Sequence, residues 1–117
     1  MKKTIWITGG STGIGKALAI RFANEGWNVA ISARRENLLK ELSDRYENIS
    51  PFPLDVTDKE NCKNIFNQVK EKFGEIDICF FSTGTWDPKK EKDIDVEQIE
   101  NVFKINFFGT VNSIKAV

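Results

Sequence analysis

With 117 residues the chain can hold one domain with a real core and is too short for two ordinary ones. Hydrophobic residues make up 40% and charged residues 29%, with 17 basic against 17 acidic side chains, which places the chain among soluble globular proteins and leaves no surplus of cations to attract nucleic acid. It contains no histidine, which removes Ser-His-Asp and Cys-His catalysis and every His-ligated metal site; Cys62 and Cys79 stand alone in apolar segments and are expected in the core.

The apolar run near the N-terminus is far too short for a signal-peptide core or a membrane span, so a cytoplasmic setting without a membrane partner is expected. Ile5-Trp6-Ile7, flanked by Thr4 and Thr8 and closed by glycines, predicts a strand buried on both faces. From Ile14 the spacing turns helical. Ile14, Leu18 and Phe22 recur along one face with Ala17, Ala19 and Ala23 among them, and Gly26 stands where the helix would stop. Trp27 to Ser32 reads as a second strand, followed by a helix with Leu38, Leu39, Leu42 and Tyr46 inward and Glu36 and Lys40 paired outside. Ile49 to Val56 reads as a third strand, but Pro51 and Pro53 cannot donate ladder hydrogen bonds, which puts it at a sheet edge.

Thr57-Asp58-Lys59-Glu60 has the form of a capping box, with Thr57 expected to cap a helix that buries Cys62, Ile65, Phe66, Val69 and Phe73 and ends at Gly74. Ile76 to Phe81 supplies a fourth strand, and Thr83 to Lys92 is a turn-rich, charged loop. Asp95-Val96-Glu97-Gln98 signals a last helix with Ile99, Val102, Phe103, Asn106, Thr110 and Ile114 along one side, and no stop signal precedes the end at Val117. Strands alternating with helices predict an α/β fold: a Rossmann-type, doubly wound parallel sheet in the order 3-2-1-4, truncated after its fourth strand, with residues 1–117 forming one nucleotide-binding domain incomplete at its C-terminus.

Thr8-Gly9-Gly10-Ser11-Thr12-Gly13-Ile14-Gly15 lies between a predicted strand and a predicted helix, the context that gives a glycine motif its meaning. Glycine there permits a tight turn and close backbone approach to a pyrophosphate, while free N–H groups at the helix start attract the anion. The candidate contacts are Gly9, Ser11, Thr12, Gly13, Ile14 and Gly15. The overlapping stretch Gly10 to Ala17 nearly reads as the phosphate loop of an ATPase or GTPase, but fails at Ala17, where a hydroxyl is needed to bind magnesium. In a Rossmann unit an acidic residue near the end of the second strand accepts from the ribose hydroxyls and repels a 2′-phosphate. Here Ser32-Ala33-Arg34-Arg35 offers a hydroxyl and two guanidinium groups instead, so the expected cofactor is NADP, held by Ser32, Arg34 and Arg35. Asp55 stands at a strand end, either facing the crevice as a ligand contact or serving as a helix-entry residue beside Thr57.

The spacing T-G-x-x-x-G-x-G at Thr8, Gly9, Gly13 and Gly15, Asp55-Val56 after the third strand, and Asn106 in Ile105-Asn106-Phe107-Phe108-Gly109-Thr110 together resemble the short-chain dehydrogenase/reductase family, in its branch without long extensions. The resemblance covers the whole chain in order. It implies an NADP-dependent oxidoreductase that moves hydride between the cofactor and a carbonyl or alcohol substrate, with a lysine-activated tyrosine as proton donor and a serine on the substrate oxygen. It also implies that Asp55 and Val56 contact the adenine ring, that Gly84 contacts the adenosine ribose, and that Asn106 belongs to the proton relay. The residues alone allow a second role for Asn106, a polar side chain hydrogen-bonded to backbone at a helix bend.

One motif departs from the family. Where Asn-Asn-Ala-Gly is usual, this chain reads Phe81-Ser82-Thr83-Gly84 and loses the asparagine side chains that brace the central strands. The family's Ser, Tyr and Lys positions lie beyond Val117, and Tyr46, the single tyrosine, is followed at the fourth position by Ser50 rather than lysine. Two functional classes follow: the N-terminal half of an oxidoreductase, inactive alone, or a non-catalytic nucleotide-binding module. Substrate identity and oligomeric state stay open at this level, a homo-oligomer being one option for a full-length protein.

Overall fold

β1 (Thr4–Thr8) is buried at every position, as an apolar run flanked by threonines requires of a strand covered on both faces. A computed structural model describes residues 2–85 and 95–117. Its other strands are β2 (Asn28–Ser32), β3 (Ile49–Pro51) and β4 (Ile78–Phe81), all parallel to their neighbours and ordered β3-β2-β1-β4. That is the predicted order, with the proline-bearing strand at the edge. The predicted third strand is shorter as a regular element, yet its pairing continues: Phe52 N–H donates to the Ile31 carbonyl at 2.8 Å and Leu54 N–H to that of Ala33 at 3.0 Å. Pro51 and Pro53 take the alternate positions, whose missing N–H would face away from β2, so the prolines interrupt no bond to the sheet.

Alternation along β1 splits the core in two. Ile5 and Ile7 face α1 (Gly13–Asn24) and α2 (Glu36–Arg45), packing with Ala19, Ala23, Leu39 and Leu42. Trp6 points the other way, into a cluster with Val56, Cys62, Ile65 and Val69 under α3 (Lys59–Phe73), where Phe66 and Phe81 lie against its ring. Cys62 and Cys79 are both free thiols, the first buried and the second half-buried.

Three sequence expectations need correction. The buried stripe of α1 is Gly15, Ala19 and Ala23 rather than Ile14, Leu18 and Phe22; the small residues let the helix backbone lie close to the sheet, Leu18 and Phe22 pack from the sides, and Ile14 is 74% exposed. Asp58, not Thr57, caps α3, its carboxylate accepting from Asn61 N–H at 3.1 Å, because a carboxylate is the stronger partner for the positive end of a helix. Thr57 turns back to Asp55 instead.

The last helix is not a single regular one. α4 (Val96–Phe103), capped by Asp95 as predicted, runs through a π-type turn (Lys104–Phe108) into α5 (Gly109–Ala116). The wider turn rotates α5 relative to α4, so the predicted stripe is broken: Gly109, Asn112 and Ser113 are buried on α5, while Ile99, Phe103 and Ile114 are exposed. An apolar flank along β4 and this helix thus meets solvent, Ile78, Phe107 and Val111 among its members. The predicted loop from Thr83 lies, beyond Thr85, outside the described residues. Among the described residues no helix is long and apolar enough to cross a membrane.

Candidate functional site

In a parallel sheet all strand ends point the same way, and the turns after β1, β2, β3 and β4 meet at one end. They enclose a cleft of about 760 Å³, a size suited to a small molecule or cofactor. Gly9, Ser11, Thr12, Gly13, Ile14, Gly15, Arg34, Arg35, Asp55, Val56 and Gly84 all line it, joined by Ala33, Leu54, Ser82, Thr83, Thr85 and Ile105. Ser32 is the exception. It is fully buried, its hydroxyl accepting from the Trp6 indole N–H at 2.9 Å, so its side chain does not reach the cleft. A strand position alternates between faces, and Ser32 falls on the Trp6 face. Its carbonyl serves the site differently, accepting from Gly9 N–H at 2.8 Å and Gly10 N–H at 3.2 Å to pin the glycine turn.

That turn is built by exclusion of side chains. Gly9 has φ +70°, and a Cβ there would meet the Ser82 carbonyl oxygen at 2.7 Å. A Cβ on Gly15 would fall on the Gly9 carbonyl. The result is a helix start open to the cleft: Thr12 is the N-cap of α1 but makes no side-chain capping bond, and the first turn carries no acidic residue. The leading N–H groups of α1 are therefore available to an anion. Arg35 takes the N-cap position of α2, again without a capping bond, and both Arg34 and Arg35 are exposed. Glu36 in the first turn of α2 offsets part of the positive end of that helix, and the two arginines beside it add exposed cationic donors on the cleft.

Asp55 is organised from below. One carboxylate oxygen, Oδ1, accepts from the Thr57 hydroxyl at 2.6 Å and the Thr57 N–H at 3.0 Å, while the Asp55 N–H donates to Asn61 Oδ1 at 2.9 Å. The Thr57 hydroxyl, opposed by partial desolvation and helped by the Arg34 and Lys104 charges, holds the Asp55 carboxyl below its usual pKa. Asp55 is thus an ionised acceptor that lines the cleft and also stands just before the entry to α3.

Across the cleft, Ser82 replaces the family's asparagine and still braces the sheet. Its hydroxyl donates to the Thr8 carbonyl at 2.7 Å and its N–H to the same oxygen at 3.1 Å. The expected loss of a strand brace is therefore corrected: a shorter polar side chain reaches because β4 and β1 are directly paired. Asn106 lies outside the cleft lining, in the π-type turn. Its Oδ1 accepts from Thr85 N–H at 2.7 Å and its Nδ2 donates to the Thr85 carbonyl at 2.9 Å, so the amide ties the segment after β4 to the helix.

Sequence reasoning missed Ser82, Thr83 and Thr85, although their place just past a parallel strand was a usable signal. Leu54 and Ile105 were missed because an apolar residue beside a motif reads as core.

Residues 3–117 match the family model described as short chain dehydrogenase. The chain belongs to this family. Among its short-chain dehydrogenase relatives, an uncharacterised oxidoreductase of Staphylococcus saprophyticus is 35% identical over 120 residues, covering 98% of this chain and 51% of the relative. The (S)-acetoin-forming diacetyl reductase of Staphylococcus epidermidis is 32% identical, covering 99% and 47%. The solved structure of ElxO with NADP bound superposes with a TM-score of 0.86 at 33% identity, covering 99% of this chain and 49% of that one. The chain spans about half the length of the relatives it matches.

Proposed function

We propose that this chain is the NADP-binding portion of an oxidoreductase acting on a small carbonyl or alcohol substrate. The observation that carries the reading is the pair Arg34 and Arg35, exposed on the cleft at an uncapped helix start directly after Ala33, the position where NAD-binding Rossmann units keep an acid. Guanidinium groups there suit the 2′-phosphate, the open start of α1 at Thr12 to Gly15 suits the pyrophosphate, and Leu54, Asp55 and Val56 form the adenine end. Ser82 to Thr85 close the opposite wall beside the ribose, with Asn106 fixing Thr85 from behind as a positioning residue. Bound in this cleft, NADPH would supply hydride to a carbonyl carbon. ElxO, at 33% identity, has been solved with NADP bound, which supports the cofactor assignment by likeness.

The chain's own residues bind and orient; they do not donate the proton. Tyr46, the single tyrosine, ends α2 and packs against the core, with Ser50 rather than lysine at the fourth position after it. The 117 residues are therefore proposed to bind nucleotide without turnover, the acid-base groups coming from a further segment of a longer protein that works in the cytoplasm. The test is Arg34→Ala: NADP affinity should fall by about 1.5 to 3 kcal/mol, the range for a hydrogen bond to a charged group, while NAD affinity stays nearly unchanged. Equal loss for both cofactors would refute the assignment.

A further inference from the structure

Asn112 is an amide in a helix interface where an apolar residue would pack as well. It lies on α5, only 8% exposed, and a buried amide is costly unless it is bonded. Its Nδ2 donates to the carbonyl oxygen of Val56 at 3.0 Å, across 56 residues of sequence. The Cys62 thiol approaches the same oxygen at 3.7 Å, so the carbonyl has a donor from each of two helices. One turn earlier, Gly109 lets α5 come this close: a Cβ there would meet Val56 Cγ2 at 2.6 Å. Asn112 therefore grips the peptide that follows the adenine-end residue Val56.

The consequence runs through a single peptide plane. The Val56–Thr57 bond is trans, so its carbonyl and its N–H point in opposite directions. The carbonyl is held by Asn112, and the N–H donates to Asp55 Oδ1 at 3.0 Å. Donation to a carbonyl also polarises the peptide and strengthens its N–H as a donor. With Oδ1 occupied by Thr57, Oδ2 makes no hydrogen bond to any described residue and is left for a ligand.

We infer that Asn112 is a positioning residue for adenine recognition, acting through the Val56–Thr57 peptide to fix the Asp55 carboxylate that accepts from the 6-amino group of the base. This rests on the nucleotide reading above. It also joins the adenine end of the cleft to the helix that carries Asn106, because Asn112 and the π-type turn belong to one continuous helical run.

The experiment measures binding of NADP and of its hypoxanthine analogue, in which the 6-amino group is replaced by an oxo group, to the 117-residue chain. The wild-type chain should prefer NADP by about tenfold, the scale of one hydrogen bond to a charged group. Asn112→Ala should lower NADP affinity by roughly three- to tenfold and leave the analogue's affinity within about twofold, so that the preference collapses. Asn112→Leu fills the same space without a donor and keeps the packing of α5, so it reads the same effect if the alanine variant folds poorly. Parallel losses for both nucleotides, or a preference that survives either substitution, would overturn the inference and assign Asn112 a purely structural role. A wild-type chain that binds neither nucleotide would instead overturn the nucleotide reading itself.

Discussion

α1 and α3 both begin where the chain leaves the same end of the same sheet, yet they begin differently. At α3 the carboxylate of Asp58 accepts from the Asn61 N–H, and at α4 Asp95 does the same for Gln98. At α1, Thr12 occupies the cap position and its side chain makes no capping bond, and at α2 the cap position is Arg35, also without a capping bond, with Glu36 following in the first turn. The two open starts line the cleft; Asp58 and Asp95 do not. A helix capped by its own carboxylate has satisfied its leading N–H groups within the chain, whereas an uncapped start, above all α1 with no acid in its first turn, leaves donors for something else. The contrast singles out the same cleft that the proposed function assigns to the nucleotide.

The largest effect is expected at the glycine turn that holds α1 open. Gly9→Val would have to adopt φ +70° and place Cβ against the Ser82 carbonyl, so it should cost several kcal/mol of stability, on the order of 2 to 4, and abolish measurable NADP binding. Gly74 also has positive φ, +83°, but a Cβ there meets nothing within 4 Å. Gly74→Ala should therefore cost about 1 to 3 kcal/mol from backbone strain alone and leave binding intact, as thermal unfolding and calorimetry would show. A binding-competent Gly9→Val chain would break the comparison.

Next in size is an exchange of the two kinds of helix start. Thr12→Asp gives α1 the anion that α3 already has; the chain should gain up to about 1 kcal/mol of stability while NADP affinity falls by roughly tenfold or more. Asp58→Ala does the reverse at α3, costing about 1 kcal/mol with nucleotide affinity unchanged. If Thr12→Asp lowers stability, or if Asp58→Ala weakens binding as much as Thr12→Asp does, the division into open and closed starts fails.

The smallest effect concerns Asp55. Its pKa is held down chiefly by the Thr57 hydroxyl, so the ionised form favours the folded chain. A depressed carboxyl contributes stability above its unfolded pKa and loses it as pH falls through the folded value, here below the ordinary 3.8. Thr57→Val should remove about 1 kcal/mol or less at neutral pH, because solvent partly screens a half-buried carboxylate, and the difference from wild type should shrink in strong acid. A difference that grows as pH falls would contradict the bond's role.

The sequence made the sheet order legible because hydrophobic runs, glycines and two prolines each constrain the same answer: Pro51 and Pro53 exclude a central position, and Ile5-Trp6-Ile7 demands one. The cleft was legible for a related reason, since turns after parallel strands converge wherever the sheet is doubly wound. What escaped depended on rotation about an axis. Ile14, Leu18 and Phe22 make an apolar stripe in sequence, but close helix-sheet contact selects Gly15, Ala19 and Ala23, and periodicity cannot weigh closeness against bulk. The π-type turn at Lys104–Phe108 shifts the face of α5 by a fraction of a turn, which no residue pattern announces. Ser32 failed as a ligand contact because strand parity, not its hydroxyl, decides which way it points. Asn112 was invisible for a different reason: its partner, the Val56 carbonyl, lies 56 residues away.

The open helix starts and the two arginines lead to one quantity, the ratio of NADP to NAD affinity of the wild-type 117-residue chain, measured by isothermal titration calorimetry at fixed salt. The account predicts saturable binding of one NADP per chain, at least about tenfold tighter than NAD, from one or more charge-assisted bonds to the 2′-phosphate. A chain that binds NAD as tightly as NADP would contradict it.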